Sequence, residues 1–315
     1  MNVIGARGTH RRFVQAGLVL AFMLCASCEA RKDMIAAPGE VGGRTVKGDV
    51  TGSSEAKTAE ATATTRGAAL SYQPGETVVF TIAPPVVGDR YQYSSTAVRA
   101  GEVKSPQGTE RIAGPVRNVR TVEILAVQDD LVRRYRTRYS IYEDGTDPAE
   151  GFIRPIVGKW YVIEYIGVRS KITAEGGGAV DASEEQFLVK EYKQRVGITN
   201  VMAAVAAAPL RIGSDAPEVG AAFAKDRANI GQNLETTKMR LVGRVGDIAR
   251  FEYELEGEAE MQSFVKLRAR GVLEISISTS ATLRDTATML FEGTTPDGSL
   301  SMKVTVRGED VTTKL

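Results

Sequence analysis

Few side chains in this sequence are suited to chemistry. Its 315 residues include one histidine, His10, and two cysteines, Cys25 and Cys28. His10 and Cys25 fall within residues 1–27, which have the charged start (Arg7, Arg11, Arg12), the short apolar core (Phe13 to Leu24) and the small-residue exit of a cleaved export signal. That core rises ~18 Å as a helix, too short for a hydrocarbon layer of ~30 Å. Removing the leader leaves no imidazole and, with Cys28 modified, no free thiol. A Ser-His-Asp triad, a Cys-His pair and His- or Cys-ligated metal sites are thereby excluded. There is no Walker A sequence, and Gly176-Gly177-Gly178 reads as a turn rather than a phosphate-binding loop. No catalytic residue, metal ligand or cofactor is assigned.

Carboxylates remain. Asp129/Asp130 and Glu184/Glu185 are neighbours in sequence, so their side chains diverge, and they read as a solvated turn and a helix N-terminus. Glu164 stands in the apolar run Trp160-Tyr-Val-Ile-Glu-Tyr-Ile166 and is either an outward strand residue or a carboxylate inside a cavity. With the aromatics around it, the candidate ligand-binding set is Trp160, Glu164, Tyr165 and Tyr192. Arg134, Arg136 and Arg138 form a basic stripe, and Lys266, Arg268 and Arg270 a second; each reads as a solvated strand face or a surface for an acidic partner.

The elements that must position these residues are mostly strands. Asp89–Val98 reads as a strand, as do Val116–Val127 and Leu131–Tyr142, joined at Gln128-Asp129-Asp130. In the last of these, Leu131, Tyr135, Tyr139 and Ile141 share one face with Arg133 and Thr137, and the Arg134, Arg136, Arg138 stripe lines the other. Trp160–Ile166 is a further short strand. Val265, Leu267, Ala269, Gly271, Leu273, Ile275 and Ile277 alternate with mainly polar residues, predicting a long strand with one buried face. Ala281, Leu283, Ala287, Met289 and Phe291 predict a second, and Leu300, Met302, Val304 and Val306 a third. A helical insert over 183–208 separates the two strand-rich stretches: Ser183-Glu-Glu-Gln186 has capping-box spacing with Ser183 at the cap, and the Ala-rich Thr199–Ala208 stops at Pro209. The hairpin patterns at 122–135 and 239–251 are similar enough to raise an internal duplication.

Residues 28–69 lack sustained apolar periodicity, and Thr51–Thr65 contains no large apolar residue, so this stretch reads as a disordered, flexible tether. Its reach, for about 40 residues, is roughly 35 Å. The fold class expected is mainly β (α+β): a long, curved antiparallel sheet over 70–315, a half-barrel or open barrel, with subdomains at 70–180 and 210–315 as a possible division.

Cys25-Ala26-Ser27-Cys28 resembles a bacterial lipobox, in which small residues precede a cysteine that receives diacylglycerol; the pattern prefers Leu where this sequence has Cys25. The resemblance implies Cys28 as a lipid anchor to the membrane and, with Glu29 rather than Asp following, an outer-membrane location facing the periplasm. Two or three acyl chains, at ~0.8 kcal/mol per buried CH₂, hold a protein firmly to a leaflet. The alternative is a secreted chain with Cys28 free.

The full chain carries 40 Lys and Arg against 39 Asp and Glu; without Arg7, Arg11 and Arg12 the balance is 37 against 39. That balance argues against a nucleic-acid partner, and 43% apolar residues argue against both a disordered chain and a multi-span membrane protein. Together with the lipobox and tether, Gly-Asp-Arg-Tyr-Gln-Tyr (88–93), Gly-Lys-Trp-Tyr-Val (158–162) and the long C-terminal strands resemble uncharacterised envelope lipoproteins of Gram-negative bacteria. The body resembles the lipoprotein-carrier half-barrels, in which a curved sheet shields acyl chains with helices in its concavity. The resemblance implies a non-catalytic protein binding an apolar ligand or an envelope protein partner. The residues leave two other readings open, a hydrolase or lyase that uses carboxylates alone and a structural or assembly subunit.

Overall fold

Period-two alternation produces long antiparallel strands in both halves of the chain. The computed structural model describes residues 75–144, 156–166, 169–182, 184–185, 188, 199–228, 232–259 and 265–315. The leader, Cys28, the tether, Ser183 and Tyr192 lie outside them. In chain order the elements are β1 (Thr77–Val78), β2 (Arg90–Ser105), β3 (Gly108–Gln128), β4 (Leu131–Asp144), β5 (Trp160–Ile166) and β6 (Arg169–Ala174). They continue with α1 (Asn200–Ala207), β7 (Leu210–Arg211), α2 (Pro217–Ala228), β8 (Gln232–Val245), β9 (Ile248–Ala259), β10 (Val265–Ser276), β11 (Thr282–Thr294) and β12 (Ser301–Lys314).

Strands β2–β6 and β8–β12 are two antiparallel meanders. Pairing of β12 with β2 joins them into one ten-stranded sheet, ordered β6-β5-β4-β3-β2-β12-β11-β10-β9-β8. Among the described residues the edges β6 and β8 do not pair, so the sheet is open and not a closed barrel. Strands from 70–180 and from 210–315 therefore share one sheet. The seam is tight: a Cβ on Gly101 would collide with the Lys303 carbonyl and stand 2.6 Å from the Val304 Cα.

The three C-terminal strands follow their alternation. Val265, Leu267, Ala269, Leu273 and Ile275 are buried on β10, and Met289, Phe291, Val304 and Val306 continue that face across β11 and β12. Burying each large side chain stabilises the fold by about 1.5–3 kcal/mol. Asp129 and Asp130 both adopt positive φ, 53° and 56°, the two-residue turn that suits strand twist and that Asp tolerates.

Local chemistry departs from the sequence pattern at four points. A register shift between Val119 and Arg120 places Ile141 opposite Val119 and Tyr142 opposite the buried Asn118, so Tyr142, not Ile141, follows Tyr139 inward. The helical turn after β6 starts at Ala182, ahead of the expected start, and the Glu185 amide donates to the Asp181 carbonyl at 2.8 Å. Glu184 is not a solvated terminus: it is buried, ion-paired with Lys159 and accepting from the Tyr161 hydroxyl at 2.7 Å. Finally, α2 extends the helical region beyond 208. It opens with Pro217 as its first residue, carries Glu218 in its first turn and ends with Lys225 and Arg227 in its last.

Helix α1 is capped by Thr199, whose side chain accepts from the Met202 amide at 3.2 Å. The Asp226 carboxylate of α2 accepts from the Val201 amide at 3.1 Å, docking the helices together. Helix α2 packs against β8, and the segment leading into it bonds that edge through Gly213 N to Leu241 O (2.7 Å) and Ala216 N to Met239 O (2.8 Å). An N-terminal strap pairs with β7, then buries Val78 and Phe80, with Phe80 against Phe251. It bonds the β10–β11 loop through Thr81 N to Ile277 O at 2.9 Å. The two hairpin patterns at 122–135 and 239–251 form β3–β4 and β8–β9, one inside the sheet and the other at its edge.

Candidate functional site

A row of mostly polar residues crosses the inward face. Reading across the register, Leu273, Asp285, Asp310, Ser95 and Asn118 stand opposite one another on β10, β11, β12, β2 and β3. Two carboxyl groups are thus direct cross-strand partners, an arrangement that is destabilising when both are charged. The neighbours treat the pair unequally. Asp285 is buried; its Oδ2 is ion-paired with Arg227 from the last turn of α2, and its Oδ1 accepts from the Tyr253 hydroxyl at 2.7 Å. Tyr253 reaches Asp285 by crossing β10 at Gly271, where a Cβ would collide with the ring and stand 2.6 Å from the Thr286 carbonyl. Burial and the Asp285 charge push the Tyr253 hydroxyl upward, so it stays a donor.

Among the described residues Asp310 makes no ion pair of its own. Burial holds its carboxyl above the usual range; the Ser95 hydroxyl pulls it down, Asp285 pushes it up, and Arg227 and Arg120 pull it down, with a raised value as the balance. Arg227 remains protonated: burial opposes its charge, but Asp285 beside it raises its affinity for the proton. Arg120 stacks over the Tyr93 ring, 5.1 Å to the centroid, and donates to the Tyr139 hydroxyl at 3.5 Å. Arg99, 1% exposed, is the next inward residue after Ala97 on β2.

Strand β5 divides the candidate set drawn from the sequence. Trp160 and Glu164 face outward with Val162, whereas Tyr165 faces inward with Tyr161 and Ile163. The Trp160 ring lies under the Arg136 guanidinium at 4.7 Å, and Glu164 stands between Arg134 and Lys171 in register. Glu164 is thus an outward strand residue. The Tyr165 hydroxyl lies 3.4 Å from that of Tyr135. Arg136 is not a free basic group, since it bonds Glu123 at 3.0 Å and Glu175 at 2.9 Å. The second basic row is paired as well, Arg268 with Glu256 (3.5 Å) and Arg270 with Glu254 (3.3 Å). A surface depression of about 620 Å³ is lined mostly by such outward groups, including Lys238, Glu252, Glu254 and Arg270.

The residues that do converge, Asp285, Asp310, Arg227, Tyr253 and Arg120, were absent from the sequence-based set. One signal was available: Asp285 interrupts the inward series that runs on through Ala287, Met289 and Phe291, and Asp310 has the inward parity of Met302, Val304 and Val306. Among the described residues no group of His, Cys, Asp and Glu is arranged to hold a metal ion.

No protein-family model matches the chain, and no curated protein matches it. Several solved structures are similar. Lipovitellin, in a study of its lipid–protein interactions, shares 11% identity at a TM-score of 0.33; the match covers 72% of this chain and 25% of lipovitellin, so the chain spans about a quarter of that protein's length. The attachment invasion locus protein of Yersinia pestis, Ail, shares 7% identity at a TM-score of 0.17, covering 72% of this chain and 100% of Ail. A putative outer membrane lipoprotein-sorting protein domain from Vibrio parahaemolyticus shares 10% identity at 0.16, covering 68% of this chain and 83% of the domain. Likeness at these scores is not evidence of a shared activity.

Proposed function

We propose that this chain is a cell-envelope lipoprotein, held at the outer membrane by an acylated Cys28 and facing the periplasm, whose sheet binds an apolar ligand without catalysing a reaction. The observation that carries the binding reading is the inward face of β9–β12. Leu255, Leu267, Met289, Phe291, Val304 and Val306 form a broad apolar field, and the polar row interrupts it at one level. Hydrocarbon would replace the contacts that bury these side chains, and the polar row would fix its orientation. The export leader and lipobox support the anchor.

The paired carboxyl groups favour one rival, a carboxylate-dependent hydrolase or lyase. Asp285 serves that role poorly, because Arg227 and Tyr253 already occupy both of its oxygens. An envelope protein partner is the other occupant of the same field.

Native mass spectrometry of the chain purified from membranes tests the binding. A co-purified apolar molecule, lost on delipidation, is expected; a chain that carries none and is unchanged by delipidation overturns the reading. Cys28→Ala should move the protein from the membrane to the soluble fraction, and a variant that stays on the membrane overturns the anchor.

A further inference from the structure

The strand ends of the sheet form two rims, and exposed apolar side chains collect at one of them. Among the described residues, six large apolar side chains are more than half exposed: Val79, Val86, Val87, Val98, Ile166 and Leu315. Val98 lies on the outward face of β2. The other five belong to the rim where β2 begins and β12 ends. Val86 and Val87 lead into β2 through a turn: the Asp89 amide donates to the Val86 carbonyl at 3.1 Å, and the Gly88 amide to the Ile124 carbonyl of β3 at 2.9 Å. Leu315 lies beside this turn, its amide donating to the Arg90 carbonyl at 2.9 Å. Val79 is on the N-terminal strap, between Val78, paired with Leu210, and Thr81, bonded to Ile277 in the β10–β11 loop. Ile166 ends β5, two residues beyond Glu164, which faces Arg134 near the β3–β4 turn.

The cations beside the valines are already paired, Arg90 with Glu123 at 3.5 Å and Lys314 with Asp89 at 2.7 Å, and the neighbouring β3–β4 turn adds Asp129 and Asp130. This part of the rim therefore attracts through its apolar surface and not through charge. The chain also enters the body at this rim. Gly75, the first described residue, donates its amide to the Ile212 carbonyl at 3.1 Å, and Glu76 pairs with Arg244 near the end of β8 at 2.6 Å. The tether expected over 28–69, about 40 residues, reaches roughly 35 Å. The 14 residues of β12, at ~3.3 Å each, span roughly 45 Å. A body held through residue 75 thus brings this rim to the anchor's leaflet more readily than the opposite rim, a strand length further away. We propose that the rim around Val86, Val87 and Leu315 seats on the phospholipid surface to which Cys28 is anchored, with the valines entering the head-group boundary. The inference rests on the anchor reading and adds an orientation to it. A few valine side chains hold less than one acyl chain, which alone binds only marginally. The rim therefore seats only while the anchor keeps it at the surface, and release by Cys28→Ala is still expected.

The test places the acylated chain on phosphatidylcholine vesicles that contain a doxyl-labelled lipid. An environment-sensitive fluorophore is attached at Val87→Cys or, at the opposite rim, at Gln107→Cys; both positions are exposed turn residues. The label at 87 should be quenched several-fold more than the label at 107, and adding phosphatidylglycerol should not strengthen the quenching. Val86→Asp should bring quenching at 87 down to the level at 107. The comparison of the two rims stands even if Val86→Asp fails to fold. Equal quenching at the two rims, with the chain still on the vesicles, overturns the orientation and leaves the anchor reading intact. An acylated chain that does not sediment with the vesicles overturns both. Quenching that requires phosphatidylglycerol overturns the apolar contact. A label at 87 already shielded without vesicles, in a chain that sediments as a dimer, overturns the proposal by giving the rim to a second copy.

Discussion

The two meanders solve the same packing problem with different side chains. On β4 and β5 the inward face is built of tyrosines: Tyr135, Tyr139, Tyr161 and Tyr165 are all buried. Each hydroxyl needs a partner, and Tyr135 finds Tyr165, Tyr139 finds Arg120, and Tyr161 finds Glu184. On β9–β12 the same face is filled by Phe, Leu, Met and Val, with Tyr253 the exception that joins the polar row. The ladders do not differ in the same way: β3–β4 carries three register shifts, and in the other meander β8–β9 carries two and β10–β11 one. One half is held in shape by hydrogen bonds that demand particular geometry, the other by volume.

If that distinction is right, truncation should hurt the second half more and hydroxyl removal should hurt the first. Phe251, fully buried against Phe80, should lose about 4 kcal/mol as Phe251→Ala, read as a shift in the urea midpoint. Tyr161→Phe removes one of two partners of a buried carboxylate and should cost about 2 kcal/mol, with Lys159 left to hold Glu184. A Tyr161→Phe loss equal to that of Phe251→Ala would erase the contrast. Asp310 gives a smaller effect of opposite sign. Burial first, and Asp285 after it, raise its folded pKa above the ordinary 3.8, so the folded state holds this proton more tightly than the unfolded chain does. The stability this group supplies is present in acid and is lost as pH rises through the folded value. Asp310→Asn should therefore match or exceed the parent chain at pH 7, with the advantage shrinking toward pH 4 in denaturation series run side by side. The smallest effect belongs to the outward face. Arg268 and Glu256 are both more than half exposed, and Arg268→Gln should change stability by under about 0.5 kcal/mol at physiological salt.

The ladders explain what could be read from the amino-acid order. The alternation from Val265 to Leu273, and its continuation through Met289 and Val304, appears as β10, β11 and β12 because the β10–β11 ladder shifts only past Glu274 and the β11–β12 ladder not at all, so parity is preserved. Trp160–Ile166 and the Asp129-Asp130 turn were legible for similar reasons: a short apolar run and a residue type that tolerates positive φ. Ile141 was misplaced because a bulge reverses parity with no local mark in the sequence. Helix α2 was overlooked although Pro217, Glu218 and Arg227 carry its end signals, because its apolar residues form no strong stripe. The site was less legible than the fold. Asp285 and Asp310 could have been found as breaks in two apolar series, but their partners Arg227, Tyr253 and Arg120 come from three other elements and meet them only through tertiary structure.

One consequence follows from the pairing of β2 with β12. Translation makes β2 the earliest of the ten strands and β12 the latest, yet Tyr91 faces Lys314 and Val103 faces Met302. From ribosome to completion, one flank of β2 must therefore wait bare, exposed to wrong pairing, and closure comes late through contacts of very high sequence separation. Removing β12 would take out the keystone between the two meanders.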